Sequence, residues 1–279
     1  MKTILTDDIT KVVRNLCIQA CTILGEDVVR QLKKTLEAEE SLTGRMALEK
    51  MIQNAEIAAK EGIPLCQDTG MAVVFLEIGQ DVHIAGDSLQ DAINEGVRQG
   101  YRDGFLRKST LDPITRVNLG DNTPAVIHVE IVAGDKFKIT LAPKGFGSEN
   151  MSRVMMFPPS AGIEGAKDFI VQRVIESGGN PCPPIVVGVG LGGTFEKSAF
   201  MAKKALLRPL GSQNPDPTLD ALEKELLKKI NATGIGPMGL GGKTTALAVH
   251  INSYPTHIAS LPVAVNIQCH SCRHAEAEL

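Results

Sequence analysis

The sequence predicts an α+β fold in which a helical N-terminal region is followed by mixed or antiparallel sheets with helices. Three observations support this prediction. Apolar residues recur at helical spacing through residues 6–60, strand-like apolar runs follow, and Pro- and Gly-rich loops separate those runs. We therefore expect one domain over residues 1–279, with its loops gathered at the ends of the sheets.

Three helices are expected in the N-terminal region. The first begins near Thr6, where a Thr-Asp-Asp run offers an N-cap, and helices over 27–38 and 42–60 follow it. Cys17 and Cys21 are four residues apart on the first helix, on or beside its apolar face. We interpret both as core thiols, because free cysteine is among the most buried residue types.

Strands and helices alternate in the rest of the chain. The segments 124–132 and 136–143 each alternate in hydrophobicity and are separated by Ala-Gly-Asp, which predicts a β-hairpin. The other expected strands are 71–79, 185–193, 246–251 and 262–268, and the other expected helices are 88–103, 162–177, 194–207 and 218–230.

Composition excludes several classes of function. The chain has a net charge of -3 with no basic stripe, no Trp and two Tyr, which argues against nucleic-acid binding. No apolar run approaches the ~20 residues of a membrane span, and the charged N-terminus is unlike a signal peptide. We therefore expect a cytoplasmic protein whose six cysteines are thiols or metal ligands.

Three cysteines lie on loops rather than on helices. Cys66 lies in PLCQDTG before a strand, Cys182 lies inside Asn-Pro-Cys-Pro-Pro, and Cys269 ends a strand. Thiolates on rigid loops at sheet ends can converge in space. Four thiolates saturate a [4Fe–4S] cluster, whereas three leave one iron with open positions for a substrate. The spacing makes such a cluster one candidate.

Two other interpretations compete with a cluster. A zinc site is supported by the Cys269-x-x-Cys272 pair and by the neighbouring His270 and His274, although a second Cys pair is missing. GLGGKTTA resembles a phosphate-binding loop, but the position five residues before the Gly of Gly-Lys-Thr holds Pro237 instead of Gly. We therefore reject nucleotide binding and keep zinc as an alternative.

Five motifs occur in the order typical of one family. They are PLCQDTG, KGFGSEN, GNPCPPIVVGVGLGG, GIGPMGLGGKT and NIQCHSCRHA. Together they resemble the α subunit, or N-terminal domain, of class I fumarases and L-tartrate dehydratases, from about residue 40 to the C-terminus. The resemblance implies a [4Fe–4S] cluster on Cys66, Cys182 and Cys269, with an open iron that activates the substrate.

The same resemblance implies the other site residues. Asp68 and His257 match catalytic positions, and the substrate-binding positions match Gln67, Arg107, Gly147 and Lys243, the last without an assigned role. Without the resemblance, the same residues also allow roles outside catalysis and binding. Asp68 could cap the bend after it, His257 could be a structural histidine, and Arg107 could be a solvated surface cation.

The expected reaction is reversible addition or elimination of water on a four-carbon dicarboxylate. Fumarate hydratase is the leading activity and L-tartrate dehydratase the second, while a non-catalytic Fe–S or zinc protein is the alternative from another class. Cys272 adds a fourth thiol close to Cys269, so a saturated cluster with four thiolate ligands stays an alternative. Because the chain ends directly after the last cluster motif, we expect a separate β subunit that supplies the remaining base, and a higher oligomer.

Overall fold

The computed structural model describes residues 2–279, which form two compact units. Unit 1 comprises residues 2–24, 55–145 and 273–279, and unit 2 comprises residues 25–54 and 146–272. The predicted α+β class is confirmed, since helices and mixed sheets occur together. The assignment of residues 1–279 to one domain stays a prediction.

The helices are α1 (Thr6–Thr22), α2 (Glu26–Ala38), α3 (Leu42–Glu61), α4 (Leu89–Asp103), α5 (Phe146–Glu149), α6 (Gly162–Ser177), α7 (Phe195–Ala205) and α8 (Pro217–Asn231). The strands are β1 (Lys2–Leu5), β2 (Met71–Gly79), β3 (Val82–Ala85), β4 (Val126–Val132), β5 (Phe137–Lys144), β6 (Arg153–Phe157), β7 (Ile185–Gly192), β8 (Ala246–Tyr254), β9 (Leu261–Gln268) and β10 (Ala275–Glu278). Short 3-10 helices cover Pro159–Ala161 and Pro237–Gly239.

Unit 1 is built on a four-stranded mixed sheet of order β10-β5-β2-β4, beside a parallel pair of β1 and β3. Its core joins the apolar face of this sheet to α1 and α4, which contribute Ile9, Val13, Ile93 and Val97 as fully buried side chains. Cys17 and Cys21 are fully buried in the same core, as predicted. The helix α1 thus packs its apolar stripe against the sheet.

The predicted hairpin of residues 124–143 is wrong, because β2 lies between β4 and β5. β2 pairs in parallel with β4 and antiparallel with β5. The turn after β4 passes the end of β2, where Gly79 N–H donates to Lys136 O at 2.7 Å and Gln80 N–H donates to Val132 O at 2.9 Å. A long strand that is buried on both faces takes the central position, and local alternation cannot reveal it.

Unit 2 is a three-layer arrangement around a sheet of order β6-β9-β7-β8. One face packs against α6 and α8 in an apolar core. The other face meets α7 at the glycines of β7. A Cβ at Gly188 would lie 2.1 Å from Ala202 O, and one at Gly190 would lie 1.9 Å from Ser198 O. The glycines of the GVGLGG run therefore allow α7 to lie directly on the sheet.

The predicted helices are confirmed within a few residues, as are the strands 71–79, 185–193, 246–251 and 262–268. The strands β1, β3, β6 and β10 were missed; they are four or five residues long. Across residues 2–279, no helix is both long and apolar enough to cross a membrane.

Candidate functional site

The first predicted cluster loop connects α3 to β2 in unit 1. Cys66 and Gln67 are exposed at its tip. Just before them, Leu65 is buried, and its N–H donates to the carbonyl of Cys21 on α1 at 2.8 Å. The loop therefore presents its sulfur outward from an anchored base.

The end of this loop is held from beneath by buried polar side chains. The Tyr101 hydroxyl donates to the carbonyl oxygens of Thr69 and Gly70 at 2.9 and 3.0 Å. Asn122 Nδ2 donates to the Gly70 carbonyl at 3.2 Å. Thr69 Oγ1 donates to the carbonyl of Arg107 at 3.0 Å, so the backbone at this exposed arginine lies against the loop. Sequence reasoning missed Tyr101 and Asn122, which act on backbone carbonyls.

Asp68 is held on both sides. Its Oδ1 accepts the N–H of Gly70 at 2.9 Å, so the residue does cap the bend that follows it. Its backbone carbonyl accepts a hydrogen bond from the buried guanidinium of Arg273. A Cβ at Gly145 would lie 3.1 Å from Asp68 Oδ2, so this glycine leaves room for the carboxylate. Arg273 was not predicted from the sequence as part of this arrangement.

In unit 2, the loops that carry Cys182 and Cys269 lie together. Cys182 has φ of 56°, a left-handed conformation that is uncommon for residues with a side chain. Its carbonyl accepts the backbone N–H of His270 at 3.3 Å and lies 3.1 Å from His270 Nδ1. Because a carbonyl only accepts, His270 Nδ1 carries the proton. The predicted ligand loops are therefore joined by the residue that follows Cys269.

The glycine-rich loop 236–242 packs on the Cys182 loop. Met238 N–H donates to the carbonyl of Pro183 at 2.8 Å. A Cβ at Gly239, where φ is 73°, would lie 2.6 Å from the Cα of Gly179. Only glycine permits this backbone contact without displacement. The GIGPMGLGG motif thus supports the second cysteine loop.

Lys243 is held to two neighbouring glutamates. Its backbone N–H lies 3.1 and 2.9 Å from the carboxylate oxygens of Glu39, which also accepts the N–H of Thr244 at 3.3 Å. Its ammonium pairs with the exposed carboxylate of Glu40. Burial raises the pKa of Glu39, but backbone hydrogen bonds from Ser41, Lys243 and others outweigh this and lower it overall. A carboxylate of the chain itself therefore fills the loop that resembles a phosphate site.

His257 is exposed in the segment between β8 and β9. Its Nδ1 accepts the N–H of Ala259 at 3.2 Å, so the neutral ring carries its proton on Nε2. The ring is therefore on the surface and holds a local turn, and its catalytic role stays a prediction. His257 lies in unit 2 and Asp68 in unit 1, and their cooperation stays a prediction.

Gly147 is exposed within α5, and a Cβ there would lie 3.6 Å from the carbonyl of Asn180. That separation is an ordinary van der Waals contact. The α5 turn therefore lies beside the loop that carries Cys182, which the sequence did not reveal.

The other three cysteines are inside the protein. Burial raises the pKa of Cys17 well above its ordinary value, with a smaller contribution from Cys21. Burial likewise raises the pKa of Cys21 to about 11. Cys272 is 5% exposed and its Sγ lies 3.6 Å from the carbonyl of Leu206. Burial therefore keeps the thiols of Cys17 and Cys21 protonated, and Cys272 is packed in the interior.

Within residues 2–279, no group of three or more His, Cys, Asp or Glu side chains is gathered as a metal site. The chemistry of the loop cysteines nevertheless fits an iron–sulfur cluster. Cys66 is exposed, and Cys182 and Cys269 are half-buried. All three lie on loops and supply the thiol groups that ligate such clusters, whereas the remaining cysteines are buried.

Comparisons with known proteins agree with the motifs. Residues 10–278 match the family model described as Fumarate hydratase (Fumerase). The chain is 43% identical over 273 residues to a protein of Methanocaldococcus jannaschii that is provisionally named L(+)-tartrate dehydratase subunit alpha, covering 96% of both chains. It is 33% identical over 265 residues to the L(+)-tartrate dehydratase subunit alpha of Escherichia coli strain K12, covering 94% of this chain and 87% of that protein.

Proposed function

The chain belongs to the fumarate hydratase (Fumerase) family, and from that premise we propose that it is the cluster-carrying α subunit of an iron–sulfur hydro-lyase. The observation that carries the proposal is the division among the cysteines. Cys66, Cys182 and Cys269 present their sulfurs on loops, while the other three are buried. The hydrogen bond between His270 and the Cys182 carbonyl holds two of these loops together.

Cys66, Cys182 and Cys269 are proposed as the ligands of a [4Fe–4S] cluster. When bound through three thiolates, such a cluster supplies an iron with open positions, a Lewis acid for a hydroxyl and a carboxylate. The three loops supply rigid supports. The Cys66 loop is held by Tyr101, and the Cys182 loop by the glycine-rich segment 236–242.

Substrate carboxylates are proposed to bind to exposed donors. Arg107 offers a guanidinium fork that suits a carboxylate, and its backbone is fixed to the Cys66 loop by Thr69. Gln67 adds an exposed amide next to Cys66. Gly147, an exposed residue of α5, is proposed to bind through its backbone N–H, and Lys243 through its ammonium, which pairs with the exposed Glu40.

Proton transfer is proposed for His257 and Asp68. His257 can exchange a proton with the departing hydroxyl through Nε2, and the exposed ring is accessible to a substrate. Asp68 has a carboxylate whose Oδ1 is fixed by Gly70. The base that removes the proton from carbon is assigned to a separate β subunit, consistent with the name "subunit alpha" of the relatives.

For the substrate, we infer hydration of fumarate to L-malate as the first candidate, because the matching family model is that of fumarate hydratase over residues 10–278. L-Tartrate is the second candidate. It is favoured by the names of relatives that are 43% and 33% identical to this chain. Dehydration of L-tartrate and the reverse of fumarate hydration both eliminate water from a four-carbon hydroxydicarboxylate, so both need the same groups.

Anaerobic reconstitution of the chain with its β subunit tests the proposal. We expect iron and sulfide in equal amounts, oxygen-labile activity, and a kcat/KM for one of L-malate or L-tartrate at least tenfold above the other. The chain without its β subunit should bind iron yet turn over neither substrate. Absence of iron after reconstitution contradicts the cluster, and robust turnover by the chain alone contradicts the need for a β subunit.

A further inference from the structure

The strand β4 forms an open edge of the unit 1 sheet. Within residues 2–279, β2 is its one strand neighbour, so its other side presents backbone N–H and C=O groups. Three of its apolar residues are exposed, Val126 at 39%, Val129 at 50% and Ile131 at 65%. An edge strand that presents both backbone groups and apolar side chains is a template for pairing with another strand.

The opposite edge of the same sheet is protected in the usual way. β10 has the sequence Ala-Glu-Ala-Glu, and its exposed carboxylates Glu276 and Glu278 repel an incoming strand. β4 contains no Lys and no Pro, and Glu130 is its one acidic residue. Edge protection is therefore present on one side of the sheet and missing on the other.

The sequence around β4 is nearly a palindrome. Residues 125–133 read AVIHVEIVA, centred on Val129. Two copies of this strand in antiparallel register about Val129 would place each residue opposite a matching or complementary one. The facing pairs would be Val126–Val132, Ile127–Ile131 and His128–Glu130, with Val129 opposite itself.

Charge complementarity selects this register. A pairing centred on Glu130 would place two carboxylates opposite each other, and one centred on His128 would place two imidazoles opposite each other. Centring on Val129 instead pairs His128 with Glu130 twice, once on each side of the axis. The His128 ring is already oriented on the sheet, with its centroid 5.1 Å from that of Phe75 at an interplanar angle of 30°.

We propose that β4 pairs with β4 of a second copy of this chain, antiparallel and about a two-fold axis at Val129, so that the two unit 1 sheets become continuous. A single strand pair buries less than the roughly 1,600 Å² of a standard stable interface. The dimer should therefore form in a concentration-dependent way.

Sedimentation equilibrium of the full chain over a range of concentrations tests the pairing. The wild-type chain should show a monomer–dimer equilibrium, and Val129→Lys should raise the dimer Kd at least tenfold, because two ammonium groups would meet at the axis. Ile114→Lys adds the same charge at a loop side chain that is 89% exposed, and it should leave the Kd unchanged. A purely monomeric wild-type chain, or a dimer insensitive to Val129→Lys, overturns the proposal.

A charge exchange tests the register. His128→Glu should weaken the dimer at least tenfold by placing carboxylates opposite Glu130, and adding Glu130→His should restore most of the affinity. Circular dichroism and the iron content of the reconstituted protein show that each variant is folded. If the double variant is as weak as His128→Glu, the proposed register is wrong.

Discussion

The carboxylate of Glu39 accepts the backbone N–H of Lys243, with its two oxygens 2.9 and 3.1 Å from that nitrogen. Glu39 is 2% exposed and lies just beyond the end of α2, whereas Lys243 directly follows the glycine-rich loop 236–242. A Cβ at Gly242 would lie 2.8 Å from Glu39 Oε1, so the glycine is needed for this approach. A remote carboxylate thus fixes the conformation of the loop that supports Cys182.

Glu39→Gln should destabilise the protein by about 1–3 kcal/mol, because hydrogen bonds to a buried charged acceptor are lost or weakened. The pKa of Glu39 is lowered by folding, so its contribution is present above its unfolded pKa and is lost as pH falls. The wild-type chain should therefore begin to lose its advantage over the variant as pH falls below about 4.3, the ordinary pKa of Glu, and lose it fully below the lowered folded pKa. Urea unfolding at several pH values measures this difference.

Glu40→Gln is the matched control, since the carboxylate of Glu40 is exposed and pairs only at the surface with the Lys243 ammonium. Its effect should stay within about 0.5 kcal/mol. Equal losses of unfolding free energy in the two variants would show that the backbone hydrogen bonds to Glu39 add no more stability than a surface ion pair.

Tyr101→Phe should loosen the loop that carries Cys66. The hydroxyl of this fully buried residue donates to the carbonyls of Thr69 and Gly70, and burial raises its pKa well above the ordinary value, so it stays a donor. We expect a loss of about 1–2 kcal/mol and faster iron release to a chelator. Tyr254→Phe, at a side chain 55% exposed, should change neither quantity. Unchanged iron release in Tyr101→Phe would contradict the supporting role.

Gly145→Ala should lower activity with little effect on folding. The added Cβ would lie 3.1 Å from Asp68 Oδ2, so the carboxylate must shift by a few tenths of an ångström. Misplacement of a group that handles protons should lower kcat about tenfold. Asp68→Asn is the comparison, because it removes the carboxylate charge and leaves Gly145 in place. Full activity of Asp68→Asn would exclude the Asp68 carboxylate from the reaction.

The periodicity of the chain was sufficient to predict its helices and long strands, because apolar stripes such as that of α1 are local in sequence. The order of strands was not predictable in the same way. β4 and β5 alternate like a hairpin, yet β2 lies between them. Which strand occupies a sheet centre depends on burial of both faces, and neighbouring residues do not encode it.

The candidate site residues were predicted from motifs that carry side-chain chemistry, such as the loop cysteines. The residues that hold those loops were missed for a physical reason. Tyr101, Asn122 and Arg273 bind backbone carbonyls, so they need no characteristic spacing relative to the loop sequence. Glu39 acts on Lys243 across 204 positions in the chain. Such contacts follow from the fold and leave no local pattern.

Cys272→Ala should retain the cluster, whereas Cys182→Ala should lose it. Cys272 is 5% exposed with its Sγ near the Leu206 carbonyl, which is the environment of a core thiol. We expect iron content close to wild type in Cys272→Ala, with a stability loss of about 1 kcal/mol from the small cavity. Iron analysis after anaerobic reconstitution measures this. Loss of iron in Cys272→Ala would instead indicate a saturated four-cysteine site.

His257→Gln should abolish most activity while leaving fold and iron content intact. The ring is exposed and its one described hydrogen bond is local, from Ala259 N–H to Nδ1, so the substitution removes little packing. Loss of a positioned proton donor at Nε2 should lower kcat by about 10²–10⁴-fold with a smaller change in KM. His83→Gln, at an exposed histidine on β3, should keep full activity. If both variants are equally active in the reconstituted enzyme, the proton reaches the leaving hydroxyl from another group, and the assignment of His257 is wrong.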